Sequence, residues 1–377
     1  MLNINKNIGS ITPLFTPSYY RQAYNSYKIG IVGNLVAMFE QCELDTHISG
    51  CLLGRNAGYK REWKIDPAGD KKAELAIADW LEEYFDNFNM RDMFEDIMDA
   101  KYKKFAVIQY DDWTVAENKQ VPAGFTQLHQ KYFRIDTKDN DKIKIDKSNV
   151  LLEIKEDEAL VVTYRKAPVL MPVLRDYILK EFGVESWAAF METFGEPFII
   201  GKYPPGADPD FKDQLKEAVN NIASSSRGTA PMGSEFEIKE TQRTTGDHEK
   251  FVDRCDRGIS ISLLGHENAV AQGSKMQVGE NLEAYKVKRD VMIEDVYFIQ
   301  DALDKLIRML VKRNFPAVTR FPKFVIDKKE QLNVKDHLAI LDQAYEQGMA
   351  IDPWEYGQYG VKIFDNQKPL EKKDLLD

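Results

Sequence analysis

One long helical repeat constrains this chain more than any other feature. Between residues 281 and 314 the apolar side chains Met292, Val296, Ile299, Leu303, Leu306 and Leu310 recur in alternating steps of four and three. That spacing puts them on one stripe of an α-helix. At a rise of about 1.5 Å per residue such a helix is roughly 45 Å long, unusual for a small domain. Its stripe faces a core laid along it, or serves in part as a seam for a partner.

The rest of the chain alternates in kind. Residues 1–25 mix Asn, Ser, Pro and Tyr without a clear period and read as an arm, frayed or held by a neighbour. A helical stretch from residue 29 gives way to alternation at Glu62–Asp66, closed by the Pro67-Ala68-Gly69 turn. A helix follows over 71–88, with Leu75, Ala78, Leu81, Tyr84 or Phe85, and Phe88 on one side, and another over 90–100, with Met90, Met93, Phe94 and Ile97. Phe105–Tyr110 reads as a strand, and 113–166 as an antiparallel β region of short strands around the turn-rich Asp136–Asp141. From Pro168 to Phe194 the pattern is helical, with a kink expected near Gly183. A compact unit comes next: strand 197–202, a Pro-Pro-Gly turn, a helix, and strand 235–240. Its helix has Asp208 as N-cap, Pro209 at the first position, and Phe211, Leu215, Val219 and Ile222 on one face. Residues 248–264 repeat Phe251, Cys255, Ile259 and Leu263 at steps of four. A polar loop, His266–Gly279, joins them to the long helix. A strand at Phe324–Ile326, a helix near 334–347 and a polar tail complete the chain. The fold class is α+β, and 377 residues imply two or three domains.

The pattern also excludes chemistry. Hydrophobic residues at 43% and charged residues at 30% allow a core and rule out wholesale disorder. No apolar run reaches the roughly 18 residues of a membrane helix, and the first residues do not read as a secretory signal. Cys42, Cys51 and Cys255 lack CxxC spacing and read as reduced thiols. Phosphate-cradling, dinucleotide, nucleophile-elbow and zincin motifs are absent, so no cofactor or metal is implied. The carboxylates of Asp136–Asp146 fail calcium-loop spacing and read as a solvated hairpin turn. Lys101, Lys103 and Lys104 read as an ordinary solvated turn, and Asn220–Gly228 as a contact loop or a helix end running into a linker. A net charge of -10 argues against a tight grip on DNA, which needs clustered cations.

Three stretches carry a family resemblance. Glu185–Pro204 contains Trp187, Phe190, Glu192, Gly195, Pro197, Gly201 and Lys202, and resembles the W-a-x-F-x-E-x-[FY]-G-x-P-x-x-I-G-K-Y-P signature of portal proteins of Mu-like phages. Phe251–Ser260, running to Leu263-Leu264-Gly265, is similar to that family's helix ending in I-L-G. Asp45-Thr46-His47-Ile48 with Arg55 and Trp63–Pro67 resembles its N-terminal D-x-x-[IV]…R…W-x-I-x-P block. Order and spacing agree over roughly residues 25 to 350. The chain departs from the pattern after Gly265, where His266-Glu267-Asn268 replaces Gln and Thr, and near 101–108, where Lys-Phe replaces a Gly before the strand.

The resemblance implies a portal-type subunit with a mixed α/β wing, a two-helix stem, a small α/β clip and one long helix. By that reading 1–25 is the N-terminal arm, 26–167 the wing, 168–196 the first stem helix and 197–247 the clip, with Phe211, Leu215 and Val219 in its core. Residues 248–264 become the second stem helix and 265–280 a tunnel loop whose Gln272, Ser274 and Lys275 face DNA. The long wing helix is 281–314, and 315–377 a C-terminal wing or crown helix and tail. The implied partners are other copies of the chain in a ring (a dodecamer by family resemblance), double-stranded DNA passing without sequence reading, the terminase large subunit, a head–tail adaptor and the major capsid protein. The implied location is the virion vertex, reached from the host cytoplasm, with no enzyme activity and no membrane. Two other readings stay open: a nucleic-acid-processing enzyme holding Mg²⁺ on carboxylates among Asp253, Asp256 and Glu267, and a monomeric adaptor or head-maturation protein.

Overall fold

The computed structural model describes residues 16–116, 118–148, 150–194, 198–225, 235–239, 246–266 and 278–327. The first described residues correct the expected arm. Thr16 accepts the Tyr19 N–H through its hydroxyl, Pro17 takes the first helical position, and Pro17–Lys28 is a helix, α1. Ala23 is buried on its inner side, and Tyr19, Tyr20 and Tyr27 pack on the main core. The aromatic stripe packs this part of the arm on the chain's own core; residues 1–15 lie outside the described residues.

Two helices follow, α2 (Gly33–Cys42) and α3 (Thr46–Tyr59). Strand β1 (Trp63–Asp66) leads into α4 (Lys72–Asp86) and α5 (Met90–Lys103). The buried side of α4 is Ile77, Ala78, Leu81, Tyr84 and Phe85. Leu75, expected on that seam, is 41% exposed: the stripe is rotated to run through Ile77 instead.

Strand β2 (Phe105–Tyr110) is buried along its whole length, as a strand covered on both faces must be. It lies between β5 (Phe125–Leu128) and β9 (Ala159–Thr163) in a three-stranded sheet. A hairpin of β3 (Trp113–Ala116) and β4 (Lys119–Pro122) precedes β5. A second three-stranded sheet comprises β6 (Phe133–Asp136), β7 (Lys142–Lys147) and β8 (Val150–Leu152), and it buries Phe133, Ile135, Ile143 and Ile145 with Phe105 and Val107. Every strand pairing among the described residues is antiparallel. The Asp136–Asp146 turn is the β6–β7 hairpin. The cation that its carboxylates hold is Lys144, whose ammonium lies 3.0 Å from Asp136, 3.0 Å from Asp139 and 2.8 Å from Glu153.

Helix α6 (Leu170–Phe194) is assigned without a break through Gly183. Strand β10 (Phe198–Lys202), α7 (Pro209–Ser225), β11 (Glu235–Lys239), α8 (Gly246–Leu264), α9 (Val278–Asn314) and β12 (Lys323–Ile326) complete the described elements. Helix α7 runs on through Asn220 to Ser225, as the helix-end reading of Asn220–Gly228 expects; residues 226–228 lie outside the described residues. Helix α9 has 37 residues, about 55 Å at the usual rise. Met292, Val296, Ile299, Leu303, Leu306 and Leu310 are all buried, as their spacing requires. Most of the apolar side chains of α2 to α6, α8 and α9 join one core with β2, β9 and β12. The pairing of β12 with β1 closes that core, stacking Phe324 on Trp63 at 5.0 Å. The expected helix near 334–347 lies outside the described residues.

Candidate functional site: a helix pair, the unit it carries and its charged base

Helices α6 and α8 form an antiparallel pair. Asp176 meets Gly258, Lys180 meets Asp256, and Gly183 meets the Phe251 ring, so one sequence ascends as the other descends. Near the base of the pair the Lys180 ammonium sits 2.8 Å from both Asp45 and Asp256. Asp45 is also the N-cap of α3, accepting the His47 and Ile48 N–H groups at 3.0 Å. Burial alone would raise its carboxyl pKa. The Lys180 ammonium and the two N–H groups outweigh burial and hold it below the usual carboxylate range. His47 of α3 hydrogen-bonds Ser260 of α8 at 2.8 Å. One aspartate therefore starts α3 and ties it to both members of the pair.

A second ionic group lies deeper. Asp295 of α9 is completely buried, and its carboxylate takes two hydrogen bonds from Arg55 of α3 (2.7 and 2.9 Å) and one from Lys101 of α5. The third arm of the Arg55 guanidinium donates to the Leu263 carbonyl at 2.6 Å, where α8 ends. Three helices meet on this one carboxylate, and Arg55 ties the end of α8 to it. Lys103 is buried beside Glu43 and Asp99. This corrects the solvated turn expected at Lys101–Lys104. Lys101 follows Ile97 and Met98 on the inner side of α5, where only an opposite charge supplied by another element makes a lysine tolerable.

At the other end, β10 and β11 pair antiparallel over Phe198–Lys202 and Glu235–Lys239, and α7 packs on β10. Asp208 caps α7, accepting the Phe211 N–H at 2.7 Å, with Pro209 next, as the sequence predicts. Of the expected core, Leu215 is buried and Phe211 and Val219 are half-buried; Ala218, not singled out, is the second buried residue. Gly201 is where the helix touches the strand. A Cβ there would stand 2.8 Å from Val219 Cγ2 and 3.1 Å from Leu215 Cγ, so only glycine allows this approach.

The motif residues fall at the junction of the pair and this unit. Trp187 is half-buried in α6, its indole N–H enclosed without an acceptor among the described residues. Phe190 and Glu192 lie in α6, although their side chains are not among those described, and Gly201 and Lys202 lie on β10. Gly195, Pro197, Gln272, Ser274, Lys275 and Glu267 lie outside the described residues. Asp256 is taken by Lys180, and the described residues contain no group of three or more His, Cys, Asp or Glu positioned to hold a metal ion. No described helix is long and apolar enough to cross a membrane.

Residues 36–361 match the family described as the portal protein of Mu bacteriophage. This chain belongs to that family. The portal protein of Escherichia phage Mu is 26% identical over 312 residues, an alignment covering 78% of this chain and 60% of the relative. The Mu-like prophage FluMu protein gp29 of Haemophilus influenzae is 25% identical over 204 residues, covering 52% of this chain and 39% of the relative. The portal-family chain described here thus spans less than two thirds of the length of either relative. Among solved structures, a chain from the neck of a native gene transfer agent particle, computed with C12 symmetry, superposes with a TM-score of 0.55. That match has 9% identity and covers 94% of this chain and 96% of the other. At that identity the likeness is one of fold, and it agrees with the α+β class.

Proposed function

We propose that the chain is a portal subunit: copies assemble head to tail into a ring through which double-stranded DNA is packaged and later leaves. The observation that carries this reading is the set of large apolar side chains that the helix pair leaves exposed. Helix α6 carries apolar side chains outside the core as well as in it, interspersed with exposed Arg175, Glu181 and Glu185. Leu170, Val173, Leu174, Tyr177 and Ile178 face the core, while Leu179, Phe182, Val184 and Met191 are 37–49% exposed, and Ile261 of α8 is 51% exposed. Large apolar side chains left this exposed along a helix pair mark a surface for a partner. In a closed heterologous ring the neighbouring copy covers it. The C12 symmetry of the neck that contains the fold relative supports twelve copies.

The remaining assignments follow from membership of the family. The wing is 26–167 with α9, the stem is α6 and α8, and the clip is the β10–α7–β11 unit, where a terminase motor docks; a head–tail adaptor and the major capsid protein are the other partners at the virion vertex. The ring is passive, and the motor supplies the work. A net charge of -10 suits a channel that lets phosphates slide, since few counterions are displaced. Gln272, Ser274 and Lys275 touch passing phosphates without reading bases.

The test is a Phe182→Glu variant. Placing a charge on the proposed contact should leave the monomer folded, with an unchanged thermal transition, and abolish ring formation. Rings that assemble normally from this variant would refute the assigned contact face.

A further inference from the structure

Strand β9 is the outer strand of its sheet, and the side away from β2 pairs with no strand among the described residues. The register shows what that side offers. The Tyr110 N–H donates to the Glu158 carbonyl at 3.0 Å and the Tyr164 N–H to the Lys104 carbonyl at 2.9 Å. In an antiparallel ladder alternate residues turn toward the same partner, so Leu160 and Val162 also face β2. Val161 and Thr163 therefore direct both N–H and C=O outward, and no described backbone group meets them. Ala159 lies on the same side, but its N–H is turned back to the Lys155 carbonyl.

Along this edge, between β9 and α9, run two adjoining cavities of about 390 and 520 Å³ that share Lys305 and Arg308. Six cations line them: Lys155, Arg165, Lys166, Lys305, Arg308 and Lys312. They face three carboxylates, Glu156, Asp301 and Asp304, and Asp304 already accepts the Phe324 N–H at 2.8 Å. Lys305, Arg308 and Lys312 follow one face of α9 at steps of three and four; the Arg308 guanidinium lies 5.5 Å from the centre of the Phe321 ring and attracts the Asp304 carboxylate. In a chain of net charge -10 this is a local reversal of sign.

We propose that the β9–α9 groove docks an extended acidic segment of a partner protein, which adds a strand to the edge of β9 while its carboxylates meet the α9 cations. Strand addition needs alternating N–H and C=O at the strand spacing, and Val161 and Thr163 provide them. The cations select the sign of the side chains and speed the encounter. A nucleic acid would satisfy the cations and leave the strand edge unpaired, so the edge decides for peptide. The proposal is independent of the ring reading, because it concerns one chain and one partner segment.

The experiment is fluorescence anisotropy of the full-length protein with a labelled octapeptide of alternating Glu and Val. A second peptide carries N-methyl groups on alternate residues, which keeps its charge but blocks strand pairing, and a short DNA duplex is the third probe. The octapeptide should bind. N-methylation should weaken it about tenfold, and so should Lys305→Glu combined with Arg308→Glu. Both substituted positions are exposed, so the thermal transition of the variant should match the parent. Equal binding of the N-methylated peptide, or no binding of either peptide, overturns the proposal, and in the second case the cations merely guard the edge. Tighter binding of the duplex than of the peptide, lost in the same variant, would also overturn it and make the groove a nucleic-acid site.

Discussion

Asp295→Asn removes the negative charge on which α3, α5 and α9 meet and to which Arg55 ties the end of α8. Arg55, Lys101 and Asp295 carry a net charge of +1 in a site where their side chains are 5%, 8% and 0% exposed. The substitution raises this to +2 without changing side-chain size. Each charge contact near 3 Å is worth about 5 kcal/mol at an effective dielectric of about 20, most of it offsetting desolvation of the ions. Removing the shared partner leaves both cations uncompensated, and the expected net loss is about 3–5 kcal/mol. Lys101→Met instead lowers the net charge to zero and leaves the two Arg55–carboxylate bonds intact, so it should cost far less. Urea denaturation followed by tryptophan fluorescence measures both. Asp295→Asn should lower the midpoint strongly, and hydrogen exchange should show the C-terminal turn of α8 opening, since Arg55 also holds the Leu263 carbonyl. A loss below about 1 kcal/mol for Asp295→Asn, or an equal loss for Lys101→Met, would refute the picture of a shared buried counterion.

In the small unit, Leu215→Asp buries an unpaired charge and should cost about 3 kcal/mol or more, whereas Phe211→Asp, at a half-buried position, should cost less; the reverse order in thermal denaturation would put the wrong face of α7 on β10. Burial, reinforced by Asp99, Asp92 and Glu95, raises the Asp96 carboxyl from 3.8 to about 6. The folded chain therefore binds this proton more tightly than the unfolded chain, so the ionised group penalises folding above about pH 6 and the penalty fades as pH falls toward 3.8. Asp96→Asn should raise the thermal midpoint at neutral pH and lose that advantage near pH 4; an equal effect at both would contradict the cause. Replacing Gln272, Ser274 and Lys275 together with Ala should leave assembly intact and reduce the DNA packaged, and packaging at the parental level would remove them from the channel.

Much of the fold was legible because it rests on local periodicity. The α9 stripe, the Asp208-Pro209 start of α7 and the apolar run Phe105–Ile108 of β2 each record their burial in neighbouring residues. The charged base was not legible in that way. Lys101 and Asp295 are 194 residues apart, and a charge pattern read along the chain sees Lys101 only beside Asp99 and Tyr102. A signal did exist: Asp295 stands between Met292 and Val296 on the apolar stripe of α9, and Lys101 follows Ile97 and Met98 on that of α5. A charge on each of two buried faces implies that they meet. The Tyr19, Tyr20, Ala23 and Tyr27 stripe of α1 was missed for a different reason. Amphipathic tyrosines register weakly as apolar, although their rings pack as such. Arg55 and Asp45 stood out only through the family block, and the structure gives them structural work at the base of the helix pair.

The central claim is the ring, and an image of the purified protein tests it most directly. Negative-stain electron microscopy over a range of protein and salt concentrations, with native mass spectrometry on the same samples, should show annuli around a central channel, with the twelvefold symmetry of the fold relative. Monomers alone at every concentration and salt, with no annuli in any field, would contradict it.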